Sequence, residues 1–282
     1  MNLHPVDCGL FKLDGGAMFG VTPKALWKRT NPADENNLCT WALRCLLIED
    51  VDRLILIDTG LGDKQDEKFF RHYHIHGEGS LESSLNGLGF AMRDVTDVFL
   101  THLHFDHCGG AIQWKSKESR QAAPAFPNAT YWSNASHWQW ATEPNAREKA
   151  SFLPENIQPI LESGQLRFMD PAGPSPFKQF DILYVDGHTE KMMIPKIQYK
   201  GMTIVFAADL LPSAGHIPLP YVMSYDTRPL LTLEEKAVFL NQAAADRHII
   251  YFEHDAVNEC CTLQMTEKGP RLERAFPLSE IL

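Results

Sequence analysis

Short apolar runs along this chain end, again and again, on an aspartate or a histidine. Arg53–Asp58 closes at Asp58, and Asp97–Thr101 runs straight into His102. Ile182–Asp186 leads to Gly187-His188-Thr189, Thr203–Ala207 leads to Asp209, and Ile249–Phe252 leads to Glu253-His254-Asp255. Apolar runs of this length, rich in Ile, Leu and Val, read as buried strands. A chain that repeatedly puts metal-competent side chains at the carboxyl ends of strands is building an α/β sheet edge. Folds of that class place their active sites there.

The rest of the chain fits around those strands. Thr40–Ile48 and Arg53–Asp58 predict a hairpin, as do Ile194–Tyr199 and Thr203–Ala207 about the turn Lys200-Gly201. Lys64–Tyr73 and Ser80–Leu88 predict helices, with Leu81, Leu85 and Leu88 on one face and Gly89 as the stop. Residues 114–127 read as a loop and Thr130–Ser133 as a short strand, and 135–163 predict two or three short helices. Thr232-Leu-Glu-Glu235 has the spacing of a capping box, opening a helix to about Ala245. With no internal repeat, the chain reads as one domain, 1–282, carrying a helical insertion near 132–165.

Composition narrows the partners. A net charge of −10 without a Lys/Arg cluster disfavours a nucleic-acid backbone, which needs a basic footprint. No stretch approaches a membrane span, and Met1–Phe11 lacks the pattern of a secretory leader. The expected setting is therefore cytoplasmic, with a small-molecule substrate, no membrane and room for a homodimer. The cysteines Cys8, Cys39, Cys45, Cys108, Cys260 and Cys261 include no C-x-x-C pair and read as reduced thiols. Asn128-Ala-Thr130 and Asn134-Ala-Ser136 match the glycosylation pattern by chance.

The densest chemistry lies in His102-Leu-His104-Phe-Asp106-His107. In extended backbone, His102 and His104 point the same way, and Asp106 and His107 follow where the chain turns. Imidazole and carboxylate suit zinc and similar first-row metals. No cysteine stands at a ligand position, so a structural thiolate site is disfavoured.

Thr101-His-Leu-His-Phe-Asp-His-Cys-Gly-Gly110 resembles the H-x-H-x-D-H signature of the metallo-β-lactamase superfamily. Asp58-Thr59-Gly60 resembles its upstream aspartate motif and Gly187-His188-Thr189 its third-histidine motif. Asp209 and His254 fall where its bridging aspartate and last histidine belong. The resemblance implies a four-layer αβ/βα sandwich and two divalent ions, zinc first, with manganese, iron or cobalt also suited. It implies one ion on His102, His104 and His188, a second on Asp106, His107 and His254, and Asp209 bridging both. Asp106 and Asp209 would thereby serve catalysis, through a hydroxide held between the ions. Asp58 would orient an imidazole through its other ring nitrogen.

Departures within the superfamily narrow the chemistry. Members that hydrolyse β-lactams tend to carry Cys or a non-bridging residue where Asp209 stands, and the diiron flavoprotein branch has Glu where His104 stands. Thioesterases of the glyoxalase II type continue the third-histidine motif with Pro-Gly-His, against Glu190-Lys-Met-Met193 here. The chain is most similar to the N-acyl-homoserine lactonase and methyl parathion hydrolase branch, which implies lactones or related esters. The alternatives are a phosphotriesterase or phosphodiesterase, or a non-catalytic binding member of the fold. Met18, Phe19, Trp138, His216 and Tyr221 are candidates for the substrate pocket, with Trp140, Phe152 and Tyr225 behind them. Arg71-His-Tyr-His-Ile-His76 reads as a solvated helix end rather than a second metal site.

Overall fold

The computed structural model describes residues 1–116, 118, 121–178 and 180–282. It contains two compact units. The first is Met1–Gly9 with Leu43–Pro174, and the second is Leu10–Ala42 with Ser175–Leu282. The chain passes between them inside strands β1 (Asn2–Asp14) and β2 (Leu38–Glu49).

The first unit is built on a sheet of order β1-β2-β3-β4-β7-β8, where β3 is Leu54–Ile57, β4 is Asp97–Phe99, β7 is Thr130–Asn134 and β8 is Leu166–Met169. β2 and β3 form the expected hairpin, pairing Leu46 with Ile57 and Glu49 with Leu54. β3, β4, β7 and β8 are mutually parallel. Leu54-Ile-Leu-Ile57 is buried throughout, as a strand covered on both faces must be. Its apolar cluster joins Leu56 and Val98 to Phe126, Tyr131, Ile157 and Ile160. Each such side chain contributes about 1.5–3 kcal/mol on leaving water. Because the parallel strands share a direction, the residues after β3, β4 and β7 emerge at one edge.

Helices complete this unit: α3 (Glu67–Phe70), α4 (Leu81–Gly87), α5 (Phe105–Cys108), α6 (Ala135–Thr142) and α7 (Pro154–Glu162). The helix expected over Lys64–Tyr73 shrinks to α3. Asp66 caps it by accepting from Phe69 N, while Lys64 is buried in the preceding loop with its ammonium on the Gly109 carbonyl. A hairpin, β5 (Ile112–Trp114) with β6 (Ala122–Pro124), replaces the loop expected over 114–127. Positions 117, 119 and 120 of that stretch lie outside the described residues.

The second unit carries the short helices α1 (Gly15–Phe19) and α2 (Lys24–Trp27) and a sheet of order β14-β13-β12-β11-β10-β9. The strands are β9 (Phe180–Val185), β10 (Met192–Tyr199), β11 (Met202–Phe206), β12 (Ile249–Tyr251), β13 (Cys260–Thr266) and β14 (Gly269–Phe276). The β10–β11 hairpin is the expected one, pairing Gln198 with Thr203. β10 is antiparallel to both β9 and β11, and β11 is parallel to β12. β9, β11 and β12 therefore point the same way and release their last residues at one edge.

Helix α8 (Pro229–Ala245) starts before the expected capping box, with proline in its first turn where the ring presets φ. Glu235 lies inside α8, past its first turn. Its carboxylate accepts from the backbone N–H of Asp186 (2.7 Å) and Gly187 (2.9 Å), gripping the end of β9.

Candidate metal ligands and their supports

In the first unit, Asp58 follows β3 in left-handed backbone, φ 57°. Such a conformation in a non-glycine residue costs about 1 kcal/mol or more and persists where surrounding contacts fix it. Here its carboxylate is the fixing group. Oδ1 accepts from Thr101 N (2.7 Å), while Oδ2 accepts from Thr101 Oγ1 (2.6 Å) and His107 Nδ1 (3.0 Å). The Thr101 hydroxyl, having given its proton to Asp58, accepts from His102 Nδ1 at 3.1 Å. One buried carboxylate thus sets the tautomer of two histidines, leaving Nε2 of each as the lone-pair nitrogen.

Those nitrogens have company. His102 Nε2 lies 3.1 Å from His104 Nδ1, and the His102 and His107 rings are 3.9 Å apart. Asp106 Oδ2 stands 3.9 Å from His107 Nε2. All four side chains are buried. The loop around them is held back to back with the segment after Asp58. Thr59 donates from both its N and its Oγ1 to the His107 carbonyl, and Gly110 N donates to Gly60 O. A Cβ on Gly109 would come within 2.0 Å of the Leu61 carbonyl oxygen, so only glycine fits there.

In the second unit, β9, β11 and β12 deliver His188, Asp209 and His254. Asp209 Oδ2 lies 3.1 Å from His188 Nε2, and Asp209 Oδ1 lies 3.1 Å from His254 Nε2. Both imidazoles commit their other nitrogen as a donor: His188 Nδ1 to Asp226 Oδ1 (2.8 Å) and His254 Nδ1 to the Ala42 carbonyl (2.8 Å). A carbonyl can only accept, so His254 Nε2 in the neutral ring carries a lone pair. That lone pair faces a carboxylate oxygen. Two acceptors at 3.1 Å repel unless a cation or proton sits with them. His188 shows the same demand: burial pushes its pKa down, but Asp209 and Asp226 outweigh that and hold it up at about 10. The donor set fits divalent metal ions, with one carboxylate oxygen available to each of two.

Support for His188 comes from its surroundings in sequence and in space. A Cβ on Gly187 would meet Thr232 Oγ1 of α8 at 2.4 Å. Thr227 N donates to the His188 carbonyl and Arg228 N to the Gly187 carbonyl. Asp209 follows Ala208, which has a positive φ of 40°.

The pocket candidates divide. Met18, Phe19, His216 and Tyr221 come together in the second unit. Phe19 is sandwiched between Trp27 (centroids 5.2 Å) and His216 (4.4 Å), and Tyr221 meets its edge. His216 has both ring nitrogens engaged, Nε2 donating to Met18 O (2.9 Å) and Nδ1 accepting from Ser213 Oγ (2.8 Å). Burial lowers its pKa to about 3, so it is a neutral staple between α1 and the loop after Asp209. Trp138 belongs to the other unit's apolar cluster. The Phe152 ring lies 4.7 Å from the His104 ring at a tilt of 50°, and Tyr225 is exposed. His72 and His74 are solvent-exposed beyond α3, and His76 Nδ1 lies 2.7 Å from the His74 carbonyl, which agrees with a solvated turn.

The supporting roles of Asp226, Glu235 and Glu148 escape a reading of the sequence. Glu148 sits three residues after Asn145, the spacing of a helix cap, and nothing local marks it as a neighbour of His104.

Comparison with known proteins agrees with this architecture. A model of the metallo-beta-lactamase superfamily matches residues 44–254, a span that runs through both units. A probable metallo-hydrolase of Mycobacterium bovis and one of Mycobacterium tuberculosis are each 34% identical over 109 residues. That stretch is 33% of this chain and 35% of each of those proteins, so the chain matches about a third of their length. A crystal structure of a probable metal-dependent hydrolase from Staphylococcus aureus superimposes with TM-score 0.87 at 25% identity, covering 98% of this chain and 96% of that one. AidC, a dizinc quorum-quenching lactonase solved with a product, gives TM-score 0.78 at 23% identity over 98% and 95% of the two chains. The α/β fold expected from the strand ends is the fold found. Among the described residues, no helix is long and apolar enough to cross a membrane.

Proposed function

The chain belongs to the metallo-β-lactamase superfamily, and from that premise we propose that it is a metal-dependent hydrolase of lactones or related esters. The observation that carries the reading is Asp209. Each of its carboxylate oxygens faces an imidazole Nε2 at 3.1 Å, in an arrangement that only positive charge stabilises. His102, His104 and His188 are proposed to hold one divalent ion, and Asp106, His107 and His254 a second, with Asp209 shared. Such ions, when bound, lower the pKa of water and polarise the scissile carbonyl.

The protein's own contribution is preparation. Asp58 and Thr101 fix the His102 and His107 tautomers, and Asp226 and the Ala42 carbonyl fix those of His188 and His254. The ligand nitrogens are aimed before any ion arrives, so little reorganisation opposes binding. Asp106 and Asp209 would serve catalysis as carboxylate ligands of those ions. Zinc is the metal favoured by this nitrogen-rich set. The lactone assignment draws support from the fold shared with lactonases such as AidC.

A panel of one N-acyl-homoserine lactone, one aryl ester and one phosphotriester tests the reading, with metal analysis of the same sample. The expected result is two ions per chain and a kcat/KM for the lactone at least tenfold above the others. Preference for the phosphotriester would move the assignment to that class. Turnover of none, or fewer than one ion per chain after metal-replete purification, would overturn it.

A further inference from the structure

We infer that Glu148 is a positioning residue for His104, and that the helical stretch from Asn134 to Phe152 belongs to the metal-holding machinery rather than only to the wall around it. The inference rests on the proposed role of His104 as a ligand.

Three successive residues of the His-rich loop are gripped from this stretch. Leu103 N donates to His137 Nε2 (2.8 Å), and Phe105 N donates to the Ser151 carbonyl (2.9 Å). Between them, His104 Nε2 lies 3.5 Å from Glu148 Oε1. Glu148 is 2% exposed. Its other oxygen is fixed by Trp140 Nε1 (2.7 Å) and Asn145 Nδ2 (2.6 Å), and its backbone N donates to Asn145 Oδ1 (3.1 Å). The carboxylate is therefore held from two sides before it meets the imidazole. At 3.5 Å the carboxylate acts on Nε2 through its charge rather than through a formed hydrogen bond, and that charge favours the proton on Nε2 and the lone pair on Nδ1, the nitrogen 3.1 Å from His102 Nε2. His104 would thus bind through Nδ1, whereas His107, His188 and His254 offer Nε2. A carboxylate behind an imidazole also raises its basicity and fixes its plane. His137 plays the matching part for the backbone, its Nε2 acting as acceptor because a backbone N–H can only donate. His137 is oriented by α6, whose Asn134 side chain accepts from His137 N at 2.8 Å.

The test measures zinc affinity by chelator competition on the full chain, with far-UV circular dichroism to verify the fold. Glu148→Ala should weaken the tighter-held zinc by about 10- to 100-fold. Glu148→Gln, which keeps a polar oxygen opposite Nε2 without the charge, should recover part of that loss and serves if the alanine variant fails to fold. Cobalt-substituted protein gives an independent readout: the alanine variant should shift the visible ligand-field bands, which a merely structural role would leave in place. His104→Ala is the reference. If it loses zinc while both Glu148 variants stay within twofold of wild type with unchanged cobalt bands, the role of Glu148 is overturned. If His104→Ala itself binds zinc like wild type, His104 is not a ligand and the metal assignment on which the inference rests falls as well.

Discussion

The two units supply their candidate ligands in opposite styles. The first concentrates His102, His104, Asp106 and His107 in one loop, and a single carboxylate, Asp58, governs two of them through three hydrogen bonds. The second draws His188, Asp209 and His254 from three separate strand ends, and gives each histidine its own acceptor, Asp226 or the Ala42 carbonyl. In the concentrated set, His102 and His107 share a support and lose it together. The dispersed set has independent supports but depends on the sheet to converge. Its central member, Asp209, faces both histidines, so its loss reaches both.

That contrast orders the expected effects of mutation. Asp209→Ala should be the most damaging, because it removes the group between His188 and His254. Metal content should fall from two ions to one or none, with activity lost by more than about 100-fold. Two bound ions with near-normal turnover would contradict the bridging role.

Next come the supports. Asp58→Ala strips a fully buried carboxylate and leaves Thr101 N, Thr101 Oγ1 and His107 Nδ1 without their acceptor. The metal-free protein should lose about 3 kcal/mol of stability, and zinc affinity should drop about 10- to 100-fold. Asp226→Ala disturbs one imidazole, so its effect on both measures should be the smaller. Equal losses in denaturation and chelator competition would erase the distinction between shared and separate supports.

The expected effect that vanishes at neutral pH is a pH dependence in the second unit. His216 titrates at about 3 in the fold and near 6.5 when unfolded. The unfolded chain therefore takes up a proton first, so the His216 contribution is complete above pH 6.5 and erodes as pH falls toward 3. The slope approaches about 1.4 kcal/mol per pH unit. In metal-free protein, His216→Gln should flatten the acid limb of a plot of urea midpoint against pH. An unchanged limb would show that other groups govern it.

The same contrast explains what a reader of the sequence can see. The His102–His107 run is legible because its spacing is local, and the strand ends at Asp58, His188, Asp209 and His254 are legible because each closes an apolar run. Lys64 illustrates the first limit: periodicity made it helical, but its ammonium reaches the Gly109 carbonyl and the helix cannot begin until Asp66. Glu235 illustrates the second. Its spacing from Thr232 is that of a cap, yet its carboxylate serves Asp186 and Gly187, which are remote in sequence. Asp226 and Glu148 have no local signature because their partners, His188 and His104, meet them only through tertiary structure. His216 was legible as a member of the region around Asp209. Its closure by Met18 and Ser213 was not, since the first of these lies at the other end of the chain.

The passage of the chain inside β1 and β2 has a bearing on biosynthesis. Every residue of the first unit has been made once Pro174 leaves the ribosome, so the Asp58–His107 network can close while the rest is still being translated. The second unit cannot close so early. Its first segment, Leu10–Ala42, must wait for Ser175–Leu282, and the Ala42 carbonyl meets His254 only then. A nascent chain arrested between these points would hold the His102–His107 run complete while still lacking His188, Asp209 and His254.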